Sequence, residues 1–177
     1  MPTFMALLRG INVSGHNPVP MKDLQASFAA LGATSVRTYL QSGNVIYDAP
    51  VSLTSDKIQK RLQKDFKAEI PILVRTPAEW KKMAVANPFL KERGIDPTRL
   101  HVTLVGERLE RSAAEKFEGV SSGDDRWALG DRVIYLHCPD GYGRTKLSNG
   151  FFEKRLKVVA TTRNWNSVGA LLQLSGC

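Results

Sequence analysis

Thr38-Tyr39-Leu40-Gln41-Ser42-Gly43-Asn44-Val45-Ile46-Tyr47 reads as two short strands around a tight polar turn. Much later the chain runs Arg126-Trp127-Ala128-Leu129-Gly130-Asp131-Arg132-Val133-Ile134-Tyr135. The turn residues differ, but the Val-Ile-Tyr second arm recurs. Taken as the centres of two similar halves, these hairpins predict a duplicated chain.

Working outward, Thr3 to Leu8 reads as a buried strand, and Arg9 to Pro20 as a loop punctuated by Gly10, Gly15, Pro18 and Pro20. Met21, Leu24, Phe28 and Leu31 then recur at helical spacing, with Gly32 placed as a C-cap. A second helix is expected from Ser55, as N-cap, to about Ala68, with Ile58, Leu62 and Phe66 inward. Pro71 to Arg75 is a strand, and Thr76-Pro77-Ala78-Glu79 is a capping box that turns Trp80 and Met83 inward.

The second half repeats this order. Leu100, Val102 and Leu104 alternate with His101 and Thr103 as in a half-buried strand. Ser112-Ala113-Ala114-Glu115 reads as another capping box, opening a short helix that carries Phe117, and Ser121 to Asp125 is a loop. Gly130-Asp131 suits a type II′ turn. A Gly-rich loop from Cys138 to Asn149 leads to a helix near Phe151–Leu156 and a strand from Val158 to Thr161. The last helix is expected after Thr162, with Trp165, Val168 and Leu172 on one face.

Each half thus reads β-α-β-β-α-β-α, closing on a Thr cap and an early Trp: Thr76/Trp80 and Thr162/Trp165. The expectation is an α+β fold of duplicated halves, two ferredoxin-like subdomains packed together. The first would span 1–86 and the second 99–177, with 87–98 as connector; one continuous mixed sheet is the alternative.

Composition sets the limits. The 177 residues carry a net charge of +8, with 42% apolar and 24% charged residues, which excludes a disordered chain and favours contact with anions. The apolar run Phe4–Leu8 is far too short for a bilayer and has no basic region before it, so no membrane span or secretory leader is expected, and the cytoplasm is the expected location. Two cysteines, Cys138 and Cys177, give no disulfide framework, and three scattered histidines give no metal spacing, so neither a metal nor a cofactor is expected.

Topology then gathers the polar residues. A helix joining the first two strands of a half makes them parallel, so their following loops share a sheet edge. In the first half this brings Arg9 and Asn12 toward Gln41, Ser42 and Asn44. In the second half the third and fourth strands likewise share an edge. This brings the loop from Cys138 to Lys146, with Asp140-Gly141-Tyr142-Gly143-Arg144-Thr145-Lys146 as its phosphate candidate, toward Thr162, Arg163 and Asn164 at a helix start. Cations, amides, hydroxyls and glycine backbone together suit an anion. The second loop lacks the Gly-Lys-Ser/Thr ending of a Walker loop. Each motif also has a plainer reading: Ser42-Gly43-Asn44 as a turn, Arg9 and Asn12 as loop pins, and Thr162 as a cap.

Catalytic arrangements are sparse. No paired carboxylates stand out, Ser42 has no His partner, and neighbouring His137 and Cys138 point to opposite strand faces. Lys57, Lys60, Arg61, Lys64 and Lys67 form a basic helix stripe that could follow a phosphate backbone, though such stripes are more often solvated faces. One tyrosine on each third strand is too little for base stacking.

Leu7-Leu8-Arg9-Gly10-Ile11-Asn12-Val13, Tyr39-Leu40-Gln41-Ser42-Gly43-Asn44-Val45, Asn87-Pro88-Phe89, Lys146-Leu147 and Ala160-Thr161-Thr162-Arg163-Asn164-Trp165-Asn166 together resemble the bacterial domain of unknown function 1697 family. One departure is Ser14, where the family pattern leads to Gly. The resemblance implies a duplicated α+β fold and brings no activity, so no catalytic role transfers. Its motifs coincide with the two polar clusters.

The sequence therefore favours a protein that binds a phosphate-bearing or other anionic small molecule. Arg9, Lys146 and Arg163 would neutralise charge, and Asn12, Ser42, Asn44 and Asn164 would orient the ligand. Group transfer or hydrolysis is the chemistry such a site would suit, with no base in view. The rivals are a non-sequence-specific nucleic-acid binder using Lys57–Lys67, and a scaffold whose motifs serve folding alone.

Overall fold

A computed structural model describes residues 1–120 and 123–176. Ser121 and Ser122 of the expected loop, and Cys177, lie outside the described residues. The chain is α+β, with two four-stranded antiparallel sheets. It divides into two compact units, Met1–Trp80 together with Leu171–Cys177, and Lys81–Ala170.

The first unit holds β1 (Thr3–Leu8), α1 (Met21–Ala29), β2 (Thr34–Tyr39), β3 (Asn44–Asp48), α2 (Ser55–Phe66) and β4 (Ile72–Arg75), with sheet order β2-β3-β1-β4. Ala6, Leu8, Val45, Tyr47 and Ile72 meet Leu24 and Phe28 of α1 and Ile58 and Leu62 of α2 in one apolar cluster. The alternate positions Met5, Leu7 and Ile46 are fully buried as well. An uninterrupted apolar β1, rather than a strand alternating with polar residues, is what such two-faced burial requires. α2 is capped by Thr54, not Ser55: the Thr54 hydroxyl accepts from the Lys57 N–H at 3.4 Å. The helix ends at Phe66, where Lys67 turns left-handed at φ 54°. α3 (Pro77–Val85) opens on the expected box: Thr76 N–H donates to Glu79 Oε2 at 2.8 Å, and Glu79 N–H donates to Thr76 Oγ1 at 3.2 Å.

The second unit holds β5 (Leu100–Val105), β6 (Arg126–Gly130), β7 (Val133–His137), α4 (Asn149–Leu156) and β8 (Ala160–Asn164), followed by α5 (Trp165–Leu174), with sheet order β6-β7-β5-β8. Short 3-10 turns cover Pro88–Lys91, Pro97–Arg99, Arg111–Lys116 and Tyr142–Arg144. Phe117, Ile134, Leu136, Leu147 and Phe152 form its apolar cluster.

Several local features depart from what the sequence predicts. β5 is not half-buried, since Thr103 and Val105 are as deeply buried as Val102 and Leu104. Ser112-Ala113-Ala114-Glu115 makes no capping box; the segment is a 3-10 turn with no side-chain cap, and Ser112 reaches only Glu110, at 3.5 Å. The second hairpin turns at Asp131-Arg132, with Arg132 at φ 58°, not at Gly130-Asp131. Gly130 is needed for space instead, because a Cβ there would lie 2.6 Å from Val133 Cγ1 and 2.7 Å from Tyr135 Cε2. β8 runs on through Asn164, whose Oδ1 accepts from Ser167 N–H at 2.8 Å and caps α5. Thr162 is a strand residue. In α5 the buried pair is Val168 and Leu171, with Leu172 only half-buried.

The recurring Val-Ile-Tyr is one residue out of phase. Met5 pairs with both Ile46 and Arg75, while Val102 pairs with both Tyr135 and Arg163. Ile46 and Tyr135 thus hold matching sheet positions, and Tyr47 lies on the helix-covered face with Leu136 as its counterpart.

Candidate functional site

In the first unit the loop after β1 meets the turn after β2, because β1 and β2 each pair antiparallel with β3 and so run parallel. Leu8 N–H donates to Gly43 O at 2.8 Å. Asn12, at φ 54°, donates through Nδ2 to Gln41 O at 2.8 Å and Val19 O at 2.9 Å, and its Oδ1 accepts from Val19 N–H at 2.7 Å. Both ends of that amide are engaged in holding the loop. Asn44, fully buried, donates to Tyr39 O and Ser42 Oγ. Arg9 is half-buried and its N–H donates to Pro71 O. Gln41 and Ser42 are exposed, as are the apolar Val13 and Leu40 beside them. Ser14 adopts φ 49°, a backbone region that favours the glycine the family pattern leads to.

On α2 the basic stripe is partly answered by acids. Lys60 pairs with Asp56 at 2.9 Å and Arg61 with Asp65 at 2.7 Å, while Lys57 Nζ donates to Ser52 O. The Arg61 and Ser27 hydrogen bonds hold the Asp65 carboxyl below its ordinary range. Lys64 and Lys67 are exposed.

In the second unit β7 and β8 run parallel on either side of β5, and the loop after β7 reaches β8. Tyr142 OH donates to Thr162 Oγ1 at 3.3 Å and accepts from Asn149 N–H at 2.9 Å. Thr162 Oγ1 donates to Asn149 Oδ1 at 3.2 Å. Its single proton is then taken, so Thr103, 2.9 Å away, is the donor of the Thr103–Thr162 pair. His101 lies on the same strand face as Thr103 and stacks on Tyr142, with ring centroids 4.8 Å apart. Burial lowers the imidazole pKa, against a smaller opposing effect of a hydrogen bond with the Arg99 backbone.

Arg163 does not join this group. Its Nη1 donates to Thr161 Oγ1 at 2.7 Å and to Thr162 O at 2.9 Å. That puts its side chain on the face opposite Thr162, so the two cannot converge on one ligand. Burial pulls the guanidinium down to about 10. Arg75 is its counterpart, equally buried, with Nη1 donating to Val74 O. Asn164 is exposed and engaged as the α5 cap; Lys146 is exposed on the loop. Cys138 is buried, and desolvation pushes its thiol up to about 11, too high for a nucleophile at neutral pH.

Sequence reading missed Arg99, His101, Tyr142 and Asn149. Arg99 ends a 3-10 turn at the start of β5, exposed, and its Nη1 lies 3.3 Å from where a Cβ on Gly141 would sit. The signal for His101 was its two-residue spacing from Thr103. Tyr142 was marked only by its flanking glycines.

The model of the family described as protein of unknown function (DUF1697) matches residues 1–135. Lys146-Leu147 and Ala160–Asn166 lie beyond the matched span. No curated protein matches the chain. Among solved structures it is similar to a conserved bacterial protein, SP0830, from Streptococcus pneumoniae. The two are 21% identical with a TM-score of 0.72, over 100% of this chain and 99% of that one, a likeness of fold alone.

Proposed function

The chain belongs to the DUF1697 family, and from that premise we propose that its second unit binds a small anionic, phosphate-bearing molecule at the rim where β7 and β8 end. The Arg99 guanidinium beside the loop after β7 carries the reading. The bare Cα of Gly141, at φ +93°, makes room for it, Nη1 lying 3.3 Å from where a Cβ would sit, while the Gly141 N–H is itself engaged with Cys138 O at 3.0 Å. Arg144 and Lys146 follow, exposed, on the same loop. The Tyr142, Asn149 and Thr162 hydrogen bonds hold that loop to the sheet, so its cations are offered from a fixed frame. Asp96 and Asp140 share the rim, and Asp96 is engaged in capping Thr98. Arg99 takes the place that the sequence reading gave to Arg163. If the bound molecule reacts, these cations supply electrostatic stabilisation.

The first rim supports binding less well, because its amides are engaged in the fold. The nucleic-acid reading is weaker for a similar reason: Lys60 and Arg61 already face carboxylates. The same proposal takes the two units as duplicated ferredoxin-like halves, supported by the shared strand order and by the matched Arg75 and Arg163.

The test is thermal denaturation with inorganic phosphate, pyrophosphate and nucleotides. A ligand at a hundred times its Kd raises stability by about 2.7 kcal/mol, a Tm rise of roughly 5–10 °C for a chain this size. Arg99→Ala combined with Arg144→Ala should abolish the rise, and changing Lys60, Arg61 and Lys64 to Glu should leave it intact. No rise with any of these anions, or a rise indifferent to Arg99 and Arg144, overturns the proposal. Salt-sensitive RNA retention lost in the Glu variant would favour the α2 surface instead.

A further inference from the structure

We infer that Arg126, Glu92 and His137 form a proton-sensitive clasp, which holds the segment Pro88–Asp96 against the β6–β7 hairpin and opens when His137 takes up a proton. Arg126 and His137 are directly opposed on neighbouring antiparallel strands. The guanidinium donates through Nη1 to Glu92 Oε1 at 2.9 Å and through Nη2 to Glu92 Oε2 at 2.7 Å. The same Nη2 lies 3.1 Å from His137 Nδ1. Arg126 Cζ sits 5.0 Å from the Phe89 ring centroid, and the Phe89 and His137 rings are 5.9 Å apart. Phe89 is placed by its own turn, its N–H donating to Asn87 Oδ1 at 3.1 Å.

A guanidinium has donors only, so His137 Nδ1 must be the acceptor, and the ring is neutral with its proton on Nε2. Protonation gives Nδ1 a hydrogen of its own. Two donors then face each other, and two cations share the spacing that held one hydrogen bond. Charged groups around the ring pull both ways. Burial opposes the proton most, and Arg126 adds to it; Glu92, Asp125 and Asp96 favour it. The net result is an imidazole that titrates below the ordinary histidine range.

The sign follows from that direction. A histidine whose folded pKa is depressed contributes stability that is complete above its unfolded pKa and is lost as pH falls through the folded one. The clasp is therefore shut at neutral pH and released on acidification. Release takes the guanidinium off both Glu92 and the Phe89 ring, so the 3-10 turn Pro88–Lys91 loses its outer support while β5 and β7 keep their ladder.

The full chain is tested by NMR titration of His137 together with hydrogen exchange, read as protection factors at Leu90 and Glu92, whose N–H groups close the turn. Protection at both should fall at least about tenfold as His137 titrates, while Val102 and Thr103 hold theirs. Arg126→Gln should raise the His137 pKa, and Glu92→Gln should lower it further. His137→Gln keeps an acceptor for Arg126 and cannot be protonated, so it should give flat protection across the same range. An ordinary His137 pKa that is unmoved in Arg126→Gln overturns the inference. So does turn protection indifferent to pH in the native chain, or equally pH-dependent in His137→Gln. None of these readouts depends on anion binding.

Discussion

The first unit and the second close the same gap in different chemistry. In each, the strand that opens the sheet must be tied to the hairpin turn that arrives beside it. The backbone does this identically: Leu8 N–H donates to Gly43 O at 2.8 Å, and Val105 N–H donates to Arg132 O at 3.1 Å. The side chains do not. The first unit uses the half-buried Asn12 amide as a staple of three hydrogen bonds. The second uses Arg108 and Asp131, a pair at 3.1 Å whose side chains are 80% and 50% exposed. A topology thus demands a tie without dictating its residues, and a polar residue in a recurrent motif can be there to hold the fold.

The widest expected gap between the units lies at the tie itself. Gly43 and Arg132 occupy the same place, both left-handed, at φ 89° and 58°. A Cβ on Gly43 would lie 2.7 Å from Leu8 Cβ and 2.9 Å from Ile11 Cδ1, both buried. Gly43→Ala should therefore cost about 3 kcal/mol, combining left-handed strain with overpacking. Arg132→Ala should stay within about 1 kcal/mol: that backbone already carries a side chain, and the Arg132 Nη2 hydrogen bond to Gly106 O, at 3.3 Å, is a long one. Urea denaturation measures both, and equal effects would break the correspondence. Next in size, Asn12→Ala should cost about 2 kcal/mol by leaving Val19 and Gln41 groups unpaired. Arg108→Ala, at an exposed ion pair, should stay within roughly 0.5 kcal/mol.

The order of the strands, and of the helices apart from the one expected after Ser112, was legible because apolar spacing differs between them, and the meeting of Asn12 with Gln41 followed from two parallel strands. What escaped reading were faces and ends. Thr162 looked like a cap because a helix with an early Trp follows it. Two more strand residues were enough to put Thr162 and Arg163 on opposite faces and split the second cluster. Ser112 to Glu115 carries the letters of a capping box, but its backbone is a 3-10 turn. The His101–Tyr142 stack and the Thr103–Thr162 pair depend on the β5–β8 register, in which Thr103 faces Thr162. No periodicity within one strand reveals the register of two.

The finest test uses the repeated tyrosine. In both units it follows Val-Ile, yet the one-residue phase difference gives it different surroundings. Tyr47 packs against Phe28, ring centroids 5.0 Å apart, and its hydroxyl is buried with no hydrogen-bond partner among the described residues. Tyr135 donates its hydroxyl to Met83 O at 2.7 Å. Tyr135→Phe should therefore cost about 1.5 kcal/mol, the hydrogen bond and a carbonyl left unpaired. Tyr47→Phe removes an unpartnered polar atom from an apolar cluster and should be neutral or stabilising by up to about 1 kcal/mol. Alkali sharpens the contrast. Burial raises both phenols, Tyr135 to about 12 and Tyr47 further. An acid with a raised folded pKa contributes stability that is complete below its unfolded pKa, near 10 for tyrosine, and lost as pH rises beyond it. Each Phe variant should thus lose less stability in alkali than the native chain, with the larger relief from Tyr47→Phe. If Tyr47→Phe instead costs as much as Tyr135→Phe at neutral pH, the two tyrosines occupy equivalent positions, and the one-residue offset between the sheets is wrong.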